Sequence, residues 1–593
     1  MIGKLSTEKL YAIQRGILFL VVLLFPIQTI LFYQKSFVST FSFYGQISSI
    51  PLLIGLVLAI LTCIREHTVK KLLFPVFGIV VLYVLLGALI SLHSIYEYSA
   101  IGSFDAATFG ETPKIRLLKG WLSALGITSD AILYGTIIFM RDTLNSVREI
   151  VFAFGMVVWI AFLSRKDFLG TFETARKAVL WSTALLTPYL VCEVLHLFGM
   201  GGATSVLKSM NSVLYEPGAF LGWYPPLVSP NQIRGTWTEP AYFAIWLAFA
   251  VPFFVSYFFK DGLKTLKKGV MVFALFTALF SIWFMTYSRT AIVLMAVLVG
   301  LYLVFAILFR TRENWEKATL LVVTCLLGFF ITSTWGPQEV SRRASIKKQV
   351  VASAVVPQKS KGLSSGSVTS QKKIEKRANP AVNKGQESAL ESVFFQNTVK
   401  STVDAKSRSN PARVEDFLFK IDVFKEYPIA GAGDSLASTV QVRIMKDHLK
   451  SLTSESRHRF SVTTTKGVFE SGISGIPFTI AGMLANRGLL GFVVVFFPIF
   501  VLGIRLFLVV LKSRNVYKQI GIAILVSGFC VFLSIFTCGI RFYDFWCVAG
   551  IALGIVLLEK NGNELSEDLK LKKDDEKDLH VCAIASSSLK ERI

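Results

Sequence analysis

Long apolar runs separated by short polar connections dominate the chain. A run of about 20 apolar residues crosses a hydrocarbon core of roughly 30 Å as a helix. Runs near residues 16–33, 47–64, 72–92, 147–164, 178–198, 241–259, 269–286, 290–309, 319–335, 488–511, 519–537 and 541–558 predict about twelve transmembrane helices. The stretch from Trp121 to Met140 is also apolar, but Ser123, Ser129 and Asp130 interrupt it, so it reads as an interfacial or re-entrant helix. Three long segments remain between spans, at about 93–146, 199–240 and 336–487.

The short connections assign sides. Those after even-numbered spans carry Arg65, Lys70 and Lys71; Arg165, Lys166, Arg176 and Lys177; Lys260, Lys264, Lys267 and Lys268; Arg310, Arg312 and Lys317; and Lys512, Arg514 and Lys518. Cytoplasmic connections are enriched in Lys and Arg, which puts these and both termini in the cytoplasm and the three long segments outside. Counting Trp121–Met140 as a span would invert every later connection. The predicted order is a cytoplasmic N-terminus (1–15), spans one to nine (16–335), a large outer loop (336–487), spans ten to twelve (488–558) and a cytoplasmic tail (559–593).

The large loop has two parts. Residues 341–408 are rich in Lys, Ser, Gln and Ala with few aromatics, a composition that cannot bury a core and predicts disorder. Its basic tract Gln371–Arg377 fits either contact with anionic lipid or polysaccharide, or a solvated tether. From Arg413 to Tyr427, Val414, Phe417, Leu418, Ile421 and Phe424 recur at helical spacing, with Lys420, Asp422, Lys425 and Glu426 assigned to the opposite face. This amphipathic helix (413–427) would lie on the outer membrane surface or dock onto the bundle. Pro428, Gly431 and Gly433 then stop it. The tail is predicted disordered, and its acidic run Asp574, Asp575 and Glu576 reads as solvated.

Composition agrees with the pattern. Of 593 residues 53% are hydrophobic and 17% charged, and the mean hydropathy is +0.57, which excludes an ordinary soluble domain. A net charge of +23 raises nucleic acid as a partner, but the basic residues follow topology, so no nucleic-acid role is read from them. The seven cysteines lie mostly inside spans, with no disulfide framework and no CxxC spacing. The six histidines are scattered, and HExxH, P-loop and GxGxxG patterns are absent, so no metal, no nucleotide and no cofactor is implied. Lys4, Lys9 and Arg15 precede the first span without a convincing cleavage site, so that span reads as an uncleaved anchor.

Candidate chemistry lies in the charges at span ends. Arg234 and Glu239 stand in RGTWTEPAYFA, immediately before the sixth span. Charges there are either headgroup anchors or members of a polar site. Arg289 lies in the turn TYSRTAIV, Arg487 precedes the tenth span and Arg541 opens the twelfth, all against the outer-face charge bias. As a group, Arg234, Arg289, Arg487 and Arg541 suit a diphosphate, whose oxygens a guanidinium fork binds bidentately. The alternative is a set of snorkelling anchors or salt bridges, to Glu239 and Asp544 among others.

These motifs resemble, in their order, the O-antigen polymerase and O-antigen ligase superfamily. RGTWTEPAYFA, the SRTA turn opening a span, the R-x14-P-x-x-G-x-G pattern from Arg413 to Gly433 and NRGLLG at 486–491 carry the likeness over roughly 200–558. The resemblance implies a glycosyltransferase of the bacterial inner (plasma) membrane that takes an undecaprenyl-diphosphate-linked oligosaccharide as donor. Fixed arginines would then stabilise charge on the leaving diphosphate. Glu239, or a loop histidine such as His448 or His458, would accept the acceptor hydroxyl's proton, with Arg413 a further loop contributor; Glu239 fits equally as a structural partner of Arg234. Membrane lipid and a chain-length regulator are the implied partners. Ligases of the superfamily carry a histidine about eleven residues before the GxxG of the tenth span, where this chain has Pro477. That departure favours a polymerase of O-antigen or capsule type over a ligase, and leaves a protein-glycosylating relative open as an alternative. A twelve-span flippase or transporter is the reading from another class, with Glu193 inside the fifth span in its favour.

Overall fold

The structure is a computed structural model that describes residues 6–27, 46–214, 232–237, 239–260, 265–337, 340, 410–471, 479–513, 515–536 and 543–560. Arg541, the segment 341–408, the tail from 561 and Pro477 lie outside the described residues. Every regular element among the described residues is helical. In chain order the principal helices are α1 (Thr7–Leu23), α2 (Ser49–Arg65), α3 (Val69–Ser99), α4 (Pro113–Ala124), α5 (Asp130–Lys166), α6 (Phe168–Leu197), α7 (Gly201–Leu214), α8 (Pro240–Phe258) and α9 (Leu266–Phe284). They continue with α10 (Arg289–Phe309), α11 (Arg312–Trp335), α12 (Asn410–Glu426), α13 (Ala437–Asp447), α14 (Ser454–Lys466), α15 (Ile480–Lys512), α16 (Asn515–Phe532) and α17 (Tyr543–Lys560).

Nine helices among the described residues are long and apolar enough to cross a bilayer, within α3, α5, α6, α8, α9, α10, α11, α15 and α16. The chain is an all-α polytopic membrane protein. Helices α1, α2 and α17, of 17, 17 and 18 residues, coincide with three further predicted windows. The centre of the bundle is α8, whose residues Ala241 to Val255 are buried on all sides, as expected of a helix that is apolar all round. It packs on α16, α10 and α6, with Phe253 stacked on Phe172 at 5.8 Å.

Four predicted boundaries change, each because polar groups find partners inside the protein. Helix α1 starts at Thr7, because Ser6 caps it and its polar turns are satisfied: Gln14 accepts from the Trp159 indole at 3.0 Å and donates to Thr62 at 2.9 Å. Trp121–Met140 is no single re-entrant helix. It holds the end of α4, a turn through Gly126 (φ +80°) and the start of α5, which runs 37 residues to Lys166 through a π-helical turn at Glu149–Phe154. The long segment expected over 93–146 therefore includes the end of α3, the whole of α4 and the start of α5. Helix α15 starts at Ile480, not 488, and breaks at Gly488 (φ +61°, ψ −164°).

The fourth change is in α12, which is helical as predicted but buries part of the face that the sequence assigned to charge. Lys420, assigned by sequence to a solvated face, is 7% exposed and pairs with Asp416 at 2.6 Å, while Asp416 also accepts from Gln441 of α13 at 3.0 Å. Val414, Phe417 and Leu418 are the exposed residues. With α13 and α14, α12 forms a small helical subdomain; Glu415 accepts from the backbone and hydroxyl of Thr453, the N-cap of α14, at 2.8–3.2 Å.

Candidate functional site: arginines at three helix junctions

The RGTW loop enters α8 through a turn at Gly235 (φ +59°), where Trp237 packs on Phe243 and Trp246 at 5.5 and 5.9 Å. Two contacts tie this loop to the SRTA turn. The Ile233 N–H donates to the Met285 carbonyl at 3.1 Å, and the Gln232 amide to the Tyr287 carbonyl at 3.4 Å. Arg234 is only 3% exposed. Its neighbours are Tyr189 and the fully buried Glu193, whose carboxylate also accepts from the Gly235 N–H at 2.8 Å. The buried Glu193 carboxyl and Tyr189 hydroxyl thus border Arg234, and the Glu193 bond to the Gly235 N–H ties this loop to α6. Glu193, the residue that favours the transporter reading, is held to that loop by the Gly235 N–H.

The second junction joins the two glycine motifs through their backbones. Ala432 and Gly433 N–H groups donate to the carbonyls of Ala485 and Asn486 at 2.8 and 2.9 Å; Leu489 and Leu490 donate back to Pro428 and Ile429 at 2.9 and 3.1 Å. The approach requires glycine: a Cβ on Gly431 would stand 2.4 Å from the Asn486 carbonyl carbon, and one on Gly488 2.3 Å from the Ile429 oxygen. Arg487, 5% exposed, lies at this crossing. It pairs with Glu149 at 2.6 Å and Asp434 at 2.8 Å and also donates to the Tyr83 hydroxyl, which in turn donates to Glu149 at 2.9 Å. Asp434 accepts from Asn486 at 3.2 Å, and Asp142 accepts from Ser91 and Ser435.

Sequence placed Arg487 in the diphosphate clamp; the structure shows it buried between two carboxylates, Glu149 and Asp434. Sequence reasoning missed Glu149, Asp142, Asp434 and Tyr83. The signal was present in α5, where Asp142, Ser146 and Glu149 fall at i, i+4 and i+7 and mark one polar stripe on an apolar helix.

The third place is the N-terminal end of α10. Arg289 is its first residue and is partly exposed, and Arg413, exposed in the first turn of α12, is close enough for the two guanidinium charges to repel. Positive side chains at helix N-termini oppose the helix dipole, so the two ends together make a concentrated positive field. Pro428 is 15 residues along from Arg413, so the Arg487 junction lies about 22 Å from this pair at 1.5 Å per residue. The predicted arginine set is thus divided: Arg289 and Arg413 together, Arg234 and Arg487 each held by carboxylates.

The remaining candidates sit as follows. Glu239 is the N-cap residue of α8, partly exposed, and makes no side-chain cap hydrogen bond. His448, at the end of α13, lies against Phe419 at 6.0 Å between ring centroids, and His458 is exposed on α14. Among the described residues, no hydrogen bond or ion pair joins either histidine to the arginines. In the same subdomain, burial acts to raise the Asp416 carboxyl, but the Lys420 ammonium and the Gln441 amide outweigh it and hold the group below the usual carboxylate range. Comparison of the chain with protein-family models, with curated proteins and with solved structures finds no match.

Proposed function

We propose that this chain is a polysaccharide polymerase that joins undecaprenyl-diphosphate-linked repeat units at the outer face of the bacterial inner membrane. In this reading it has twelve spans with both termini in the cytoplasm. The feature that carries the proposal is that Arg289 and Arg413, from motifs more than a hundred residues apart in sequence and each in the first turn of a helix, come within electrostatic range of one another. Such a field suits a diphosphate, because helix N-termini and guanidinium forks both favour phosphate oxygens. As the glycosidic bond breaks, negative charge grows on the leaving diphosphate, and a pre-formed positive site stabilises that state more than the ground state. Glu239 is the candidate base for the acceptor hydroxyl, while Arg234 and Arg487 hold the loops that carry the site.

Arg289→Ala and Arg413→Ala, made separately in a producing strain, are expected to leave the protein in the membrane at its usual level and to reduce the glycan to single repeat units. Normal chain-length ladders from both variants would overturn the diphosphate role. Long polymer retained on the lipid carrier would instead identify a ligase.

A further inference from the structure

We infer that the Val414, Phe417, Leu418 and Ile421 face of α12 lies in the bilayer interface, covered by lipid and not by water or protein. The helix is apolar on two sides: Phe419 and Val423 are buried inward, and a second apolar face is left outward. Its charged pair Asp416–Lys420 is packed inward against α13, whereas Val414, Phe417 and Leu418 are 56%, 45% and 52% exposed. These positions recur at i, i+3, i+4 and i+7 and make one continuous stripe. A helix with its apolar side outward is stable only where that side meets an apolar medium.

The stripe also runs directly into a surface that belongs to lipid. Ile429, 75% exposed just beyond α12, accepts through its carbonyl from Leu490, and Leu489, Leu490, Val493 and Phe497 are the exposed side chains at that end of α15, a candidate span. Exposed cations stand at both ends of α12, Arg413 at the first turn and Lys425, which pairs with Asp422 at 2.8 Å, at the last. That arrangement lets long basic side chains reach anionic headgroups while the apolar residues enter the acyl boundary. A second copy of this chain would need a complementary apolar patch and no lipid continuity; the shared edge with α15 favours the bilayer.

The test uses the full-length protein in nanodiscs of phosphatidylethanolamine and phosphatidylglycerol. Nitroxide labels at V414C, F417C and L418C, with the native cysteines replaced, report access to oxygen, which concentrates in lipid, and to a water-soluble nickel chelate. We expect high oxygen and low nickel access at all three, as for V493C on α15, and the reverse for T464C on α14. Nickel access at 414, 417 and 418 equal to that at 464 would overturn the inference. A photo-crosslinking phenylalanine analogue at Phe417 in the native-cysteine protein gives a second measurement that does not depend on the cysteine-free background. Lipid adducts support the assignment; adducts to protein alone, from a second copy or another segment of this chain, overturn it. Neither readout depends on the proposed reaction, so failure here leaves the polymerase reading intact, and the converse.

Discussion

Arg487 and Arg289 are the same residue type at the ends of apolar helices, yet their surroundings make them opposites. Arg487 is 5% exposed between Glu149, Asp434 and Tyr83, and its charge is used up in joining α3, α5, α15 and the turn after α12. Arg289 is partly exposed and its described electrostatic neighbour is another cation, Arg413. An arginine at a membrane boundary is therefore informative only once its partners are known. Carboxylates arriving from distant helices make it a joint; a neighbouring guanidinium adds to a local positive field.

The contrast is sharpest under substitution. Arg487→Ala leaves Glu149 and Asp434 buried without their cation, a change that typically costs about 3–5 kcal/mol. A large fall in the melting temperature of the detergent-solubilised protein, together with loss from the membrane, is expected; an unchanged melt would mean that Arg487 is not a joint. Arg289→Ala should leave the melt unaltered while stopping polymer growth, and equal destabilisation by both variants would erase the distinction.

Gly488→Ala tests the same joint through its backbone. The position combines φ +61° with a Cβ clash at 2.3 Å against the Ile429 oxygen, and strain in such a region costs about 1–3 kcal/mol before the clash is relieved. Limited proteolysis between α12 and α15 should quicken in this variant relative to Gly503→Ala, where nothing lies within 4 Å of the new methyl. Equal cleavage would argue that the crossing is not held as described.

The smallest effect is expected from acid. Asp416 has its carboxyl depressed by Lys420 and Gln441, so the pair's contribution is complete above the unfolded carboxylate value of about 3.9 and is lost as pH falls through the lower folded value. Protection of the α12–α14 subdomain from an acid-active protease should hold from neutral pH down to about 5 and decline only below about 4. In Asp416→Asn that decline should be flatter, with protection weaker at neutral pH; an identical profile would remove the pair from the stability of the subdomain.

The apolar windows were legible because lipid selects a property that a sequence displays locally, length of uninterrupted hydrophobicity. The windows misplaced their ends wherever polar side chains were satisfied by other helices: Gln14 by Trp159 and Thr62, Asp142 by Ser91 and Ser435, Glu149 by Tyr83 and Arg487. Partnership over 48 to 338 residues of separation (from Gln14–Thr62 to Glu149–Arg487) is not displayed locally, even where a polar stripe marks one member. The orientation of α12 was left open by sequence for a related reason: both of its faces are serviceable as cores, one through Phe419 and Val423 and the other through Phe417 and Ile421, and partners on other helices, Gln441 and Thr453, hold the first inward. The arginine motifs, by contrast, were visible individually, and what sequence could not supply was the division of labour among them.

The crossing of the two glycine turns has one further consequence. Its four contacts run from main chain to main chain, so they ask nothing of side-chain identity beyond small size at Gly431 and Gly488. A weld of that kind is set by backbone shape, and the Arg487–Asp434 pair beside it adds a second, side-chain lock to the same seam.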